Sequence, residues 1–266
     1  MPPAKKRPRA YDMSRTRTAV LAQFAHVQDA LRTLTPEQLA LPGLGEWTVR
    51  ELVAHMTTAL ERVSRSMELP EPAGGPKPEI ALLEWPFSTA GNAVGIAGHT
   101  RDLAEAHPDL GALYEETAAR FAELVPVGAG DRLVTTRAGT MRLGDFLVTR
   151  AVELVVHTDD LHRATGLDIP YDRQALAACT RLLADALADK APGGSVEVRV
   201  PPFAVLQCIG GPKHTRGTPP NVVETDPLTW IRLATGRTQW ADALEAAQVS
   251  ASGERADLAP LLPLMG

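Results

Sequence analysis

The residues of this chain most able to do chemistry together are a glutamate and two histidines. Glu153 and His157 stand one helical turn apart in RAVELVVHTDDLHRATG, residues 150–166. Side chains at i and i+4 share one helix face with about 6 Å between them, a spacing that suits a metal ion held in the gap. With residue 146 placed at 0° on a helical wheel, Arg150, Glu153 and His157 fall within about 60° of one another, while valines and leucines cover the other sides. A helix apolar on so many sides is central to its fold. An ionised, unpaired glutamate there costs on the order of several kcal/mol, so something must compensate it.

Three compensators fit the residues. Arg150 could pair with Glu153 within the helix while His157 bonds to a neighbour. A metal-free proton relay could use the same two groups. A divalent metal could join Glu153 and His157 to a third ligand, and His55 in GLGEWTVRELVAHM, residues 43–56, is the natural one because it falls at the edge of another helix's apolar stripe. Three protein ligands leave a coordination position open, as catalytic metal sites do. Asp160 lies on the Glu153/His157 side, where it could orient a ligating imidazole or equally be a surface residue near the helix end. His162 should point away, and His26, His99 and His107 have no partner at ligand spacing.

The elements that must position these side chains read as helices first. Val20, Leu21, Phe24, Val27, Leu31 and Leu34 recur at three- and four-residue intervals in 14–34. Thr48 and Glu51 form a T-x-x-E capping box, so the helix carrying His55 starts near Val49, with Leu52, Val53, Met56, Leu60 and Val63 on its buried stripe. LPEPAGGPKP, 69–78, is a loop. Helices are expected from the high 80s to 105, over 109–125, from Leu143 to just before Gly166, and over 173–191, with a small hairpin through RAGT after Leu133–Thr136. After PGGS the period changes: SVEVRV, AVLQCI, NVVET and QVSASG read as strands. TDPLTWIRLATGR between them reads as a helix capped by Asp226, with Pro227 first and Gly236 past the end, and QWADALEAA as a short second one. The fold class is α+β: a basic disordered tail over 1–12, a helical bundle over 13–191 and a small α+β domain over 196–266.

Composition narrows the function classes. A net charge of −5 lacks the dominant basic face that nucleic acid requires. No run approaches the roughly 18 apolar residues of a membrane span. The two cysteines, Cys179 and Cys208, build no disulfide framework and read as small core or interface residues, which fits a cytoplasmic protein.

Together, GLGEWTVRELVAHM and RAVELVVHTDDLHRATG resemble the DinB-like four-helix-type bundles of the mycothiol-dependent maleylpyruvate isomerase family, over most of 14–190. The resemblance implies that His55, Glu153 and His157 hold a divalent metal, usually zinc, with mycothiol as co-substrate. The segment from DPLTW onward, with Thr235, Gly236 and Arg237 in TGR and then VSASG, resembles the sterol-carrier-protein-like domain that accompanies such bundles. A glycine- and proline-rich loop, 208–226, carries Lys213, His214 and Arg216 near Thr215 and Thr218, and reads as a hairpin connection or as a clamp. Arg216 and Arg237 are the candidates to meet an anionic group, and Arg232 competes with them.

Two functions are therefore expected to compete. In one, the metal presents a small thiol as thiolate to a small electrophilic substrate, for isomerisation or transfer. In the other, the C-terminal domain carries an apolar or lipid ligand, lined by Leu258, Leu261, Leu262 and Leu264, and the bundle is a non-catalytic metal-binding module.

Overall fold

The structure is a computed structural model in which residues 9–72, 77–89, 93–125, 129–211 and 220–265 are described. Its architecture is mixed, with a helical N-terminal part and a C-terminal sheet domain. The helical part contains α1 (Met13–Leu31), α2 (Pro36–Leu39), α3 (Val49–Glu68), α4 (Ala93–Ala106), α5 (Leu110–Leu124), α6 (Leu143–Thr165) and α7 (Arg173–Lys190). A short strand pair, β1 (Pro42–Leu44) and β2 (Trp47–Thr48), leads into α3, and a hairpin, β3 (Leu133–Thr136) and β4 (Gly139–Arg142), leads into α6.

The helix carrying Glu153 is central. α6 packs against α1, α3 and α7, which is why it needs apolar residues on most of its circumference. Leu147, Val148, Ala151, Val152, Leu154 and Val155 are fully enclosed. The T-x-x-E box starts α3 as read: Thr48 Oγ1 accepts from the Glu51 backbone N–H, and Glu51 accepts in return from that of Thr48 at 2.6 Å. Its expected stripe, Val49, Leu52, Val53, Met56, Leu60 and Val63, is buried.

The third helix departs from its expected limits. A 3-10 turn over Trp85–Ser88 precedes α4, so the region expected as one helix is two elements, the first held to a single turn around Pro86. Residues 1–8 of the expected disordered tail lie outside the described residues, whereas 9–12 are placed against the fold. Arg9 pairs with Asp185 on α7 at 2.8 Å, and Asp12 caps α1.

In the C-terminal domain, β5 (Val196–Val200), β6 (Ala204–Cys208), β7 (Val222–Thr225) and β8 (Val249–Ser252) form one sheet in the order β6-β5-β7-β8, parallel between β5 and β7 and antiparallel elsewhere. Alternate residues of β5 and β6 are buried, as half-covered strands require. α8 (Pro227–Ala234) begins on the Asp226 cap and lies against α7, where Trp230 is buried and donates to the Thr180 carbonyl; α9 (Trp240–Glu245) follows. Leu258 and Leu264 are buried in this domain's core, with Leu261 and Leu262 packed on it.

Candidate metal centre

α3 and α6 cross so that His55, Glu153 and His157 meet. Each offers a ligand atom, and the three atoms lie within 4.8 Å of one another. His157 Nε2 is 3.7 Å from Glu153 Oε2, close to the roughly 3.4 Å that separates two ligands of a tetrahedral ion at about 2.1 Å. The His55 and His157 rings stand edge to face with centroids 5.1 Å apart, and Trp47, delivered by the β1–β2 pair, lies tilted against His55 with centroids 4.7 Å apart.

The donor chemistry suits a divalent metal. Asp160 Oδ2 lies 3.0 Å from His157 Nδ1, so this nitrogen donates to a carboxylate and Nε2 keeps its lone pair. His55 Nδ1 is 3.2 Å from Thr100 Oγ1 of α4; in the tautomer that donates there, Nε2 is again the free nitrogen. Burial pushes the His55 pKa down to about 3, with His157 beside it adding to the fall, so its imidazole is neutral. Glu153 is ionised: burial opposes its charge, but Arg150, first among its charged neighbours, brings its pKa down to about 2. One carboxylate and two imidazoles, each with its Nε2 free, are the donors a zinc-type ion takes.

Behind this cluster stand two arginines from α8 and the turn after it. Arg237 bonds Asp160 through two nitrogens, at 2.9 and 2.7 Å. Burial opposes the Asp160 charge, yet hydrogen bonds from His157 and Arg237 hold its pKa below the ordinary carboxylate range. Arg232 grips the neighbouring Asp159 in the same two-pronged way. The consecutive acids of α6 thus tie the C-terminal domain to the bundle directly behind His157. Asp160 is 4% exposed, which corrects the surface alternative.

The intrahelical alternative is met in part. Its first half is met, since Arg150 forms an ion pair with Glu153 at 3.6 Å, but its second is not: His157 bonds within its own helix rather than to a neighbouring one. Burial lowers the Arg150 pKa to about 10, which leaves it charged, with its guanidinium over Phe146 at 4.7 Å.

Arg216, with Lys213, His214, Thr215 and Thr218, lies outside the described residues. His162 is turned to the Leu167 carbonyl at 2.6 Å, away from the cluster. Sequence reasoning missed Thr100, which falls in the helix whose limits were least legible. It also missed Arg62, although Arg62 follows His55 by seven residues and so returns to the same helix face.

A helical bundle holding a His/Glu/His cluster at its centre and joined to a small α+β domain defines the class. The family model described as the mycothiol maleylpyruvate isomerase N-terminal domain matches residues 20–162, more than half of the chain, and the chain belongs to that family. A second model, the bacterial SCP ortholog, matches residues 172–264. Among solved structures, the chain is similar to the mycothiol-dependent maleylpyruvate isomerase, with 18% identity over 96% of this chain and 97% of that one and a TM-score of 0.57. A histidine-to-alanine mutant of the same enzyme gives 19% identity over the same shares and a TM-score of 0.55. These likenesses speak for the fold. Comparison with curated sequences returns no match.

Proposed function

We propose that this protein is a metal-dependent enzyme that uses a low-molecular-weight thiol of the mycothiol type to isomerise, or to transfer the thiol to, a small electrophilic substrate. The observation that carries the reading is the convergence of three ligand atoms within 4.8 Å, with both outer imidazole nitrogens already engaged. His55, Glu153 and His157 would hold the ion, zinc being the best fit to one carboxylate and two imidazoles. Such an ion lowers the pKa of a bound thiol and presents it as thiolate at neutral pH.

The chain's own residues prepare that chemistry. Asp160 fixes the His157 tautomer, Arg237 fixes Asp160, and Thr100 fixes His55. Arg237 is therefore proposed as a positioning residue, since its guanidinium is occupied by Asp160 and the Thr235 carbonyl. The thiol must come from outside: Cys179 and Cys208 are both buried, and burial raises both thiol pKa values, that of Cys208 to about 11. In an isomerisation the external thiolate adds to one carbon of a double bond, rotation follows, and elimination returns the thiolate.

The carrier reading has less support, because Leu258 and Leu264 are core residues and Leu261 and Leu262 pack on that core. Elemental analysis of the wild type beside His157→Ala, after dialysis against a weak chelator, tests the site; about one zinc per folded chain in the first and none in the second is expected. Metal retained in the variant removes the ligand assignment. Metal without thiol-dependent consumption of any unsaturated acid or other electrophile removes the reaction.

A further inference from the structure

α4 presents Thr100 to His55, and the contact that fixes where along α3 it does so lies further on, at the end of α4. Nη2 of Arg50, in the first turn of α3, donates to the carbonyls of Ala104, His107 and Pro108 at 3.0, 2.7 and 3.2 Å. These carbonyls belong to the last turn of α4 and to the loop that leads into α5. In a continued helix the Ala104 carbonyl would accept from the N–H of residue 108, but residue 108 is proline and has none. The sequence of the loop thus leaves acceptors open, and an arginine from the neighbouring helix answers them, with its positive charge at the negative end of α4. Arg101, next to Thr100, reaches Glu46 at 3.3 Å and Glu51 at 3.7 Å, a looser tie with Arg101 half in water.

The two helices run antiparallel, since Arg50, before His55, meets Ala104, after Thr100. The contacts also lie at separate heights: Arg50 to His55 is about 7.5 Å of rise on α3, and Thr100 to Ala104 about 6 Å on α4. One contact leaves two packed helices free to slide or roll about it, whereas two at separate heights fix their register. That register is what puts Thr100 Oγ1 3.2 Å from His55 Nδ1. We infer that Arg50 is a positioning residue for His55: by ending α4 it holds Thr100 on Nδ1, and so keeps Nε2 as the free nitrogen. The inference rests on the proposed function only in taking His55 as a ligand, because the register and the tautomer need no ion. Arg17 supplies the comparison. It ends α5 by the same chemistry, through the Val125 carbonyl at 2.8 Å and the Ala122 carbonyl at 3.0 Å, on a helix with no hydrogen bond to His55.

Two readings of the full-length protein test it. Nitrogen NMR shifts of the His55 imidazole, taken without metal, report which nitrogen carries the proton, and competition with a chromogenic chelator reports zinc affinity. Wild type should show one tautomer, protonated at Nδ1. Arg50→Leu should mix the tautomers and weaken zinc binding roughly ten-fold, the lower end of the cost of losing the partner of a ligating imidazole. Arg50→Lys, which restores charge and donors and is mild enough to keep the fold, should show both changes at smaller size. Arg17→Leu should lower stability as Arg50→Leu does and leave His55 and zinc affinity as they are. In a Thr100→Val background, Arg50→Leu should add nothing measurable, since both changes act through one contact. A wild-type proton on Nε2, unmoved His55 shifts or unchanged zinc affinity in Arg50→Leu, the same shifts in Arg17→Leu, or full additivity over Thr100→Val each overturns the inference. Mixed tautomers in Arg50→Leu, with zinc bound by neither chain, uphold the register lock and remove the proposed function. Zinc bound by wild type and held equally by Arg50→Leu, with the His55 shifts unmoved, does the reverse.

Discussion

Glu153 divides two regions that follow opposite rules. Toward α3 the polar atoms are answered: each imidazole has its outer nitrogen on an oxygen, and the oxygen facing His157 is itself held by Arg237. The crevice there, with Met56, Thr58, Ala59 and Leu154 in its walls, has no room for a bound organic molecule. Toward the β3–β4 turn there is room, and among the described residues the buried Nη2 of Arg62 is left without a hydrogen-bond partner. A network satisfied everywhere except at its centre is preorganised for a point charge. One glutamate lines both regions.

The sharpest way to break this contrast is to remove the shared residue. Glu153→Ala should abolish stoichiometric metal, read by elemental analysis. It should also destabilise the chelated protein by about 2–3 kcal/mol, read by denaturant unfolding, because Arg150 is left buried without its carboxylate. That cost is set below the ~3–5 kcal/mol of a fully buried pair, since the Glu153 side chain keeps a quarter of its exposure. A variant that holds metal at wild-type affinity ends the assignment of Glu153 as a ligand.

Next in size is Asp160→Asn, which keeps the shape but removes the anion behind His157. Metal affinity should fall roughly 10- to 100-fold, the usual cost of losing the partner of a ligating imidazole. Arg237→Ala should act in the same direction and less, by about ten-fold at most, because Asp160 retains its bond to His157. The double variant should lose less than the product of the two, since both changes act through one carboxylate. Independent effects, measured by competition with a chromogenic chelator, show that Arg237 does not act through Asp160. Alkylation of Cys179 and Cys208 at pH 8 should be slow in the native protein and fast after unfolding, because burial disfavours both thiolates. Rapid labelling of the native protein makes an internal thiol available and weakens the need for an external one.

The two regions also differ in how far the sequence discloses them. The three candidate ligands are legible because a glutamate and a histidine at i, i+4 in an apolar helix violate a pattern, and a violation is visible in one dimension. The bundle and the change to strands after PGGS are legible for the same reason, through periodicity. The cavity on the other side of Glu153 follows no local rule: Arg62, Arg137 and Arg150 in its walls come from three elements and are ordinary charged residues where they stand in the chain. Asp160 was ambiguous because its burial depends on α8 arriving from some seventy residues away, through Arg237. Thr100 was missed because the 3-10 turn at Trp85 obscures where α4 begins. Contacts that depend on tertiary closure leave little trace in spacing.

The smallest predicted effect serves as the control that keeps site and stability apart. α6 ends at Gly166, which has φ +72°, and its N–H bonds to the His162 carbonyl at 2.8 Å. A side chain there meets nothing within 4 Å, so Gly166→Ala brings no clash and only the left-handed backbone penalty of a non-glycine residue, about 1 kcal/mol. Denaturant unfolding should show that loss, whereas metal content should match the wild type, because the helix is held well before its end by α1, α3 and α7. If metal affinity falls along with stability, the cluster depends on the last turn of α6, and Asp160 owes its position to the helix terminus as much as to Arg237.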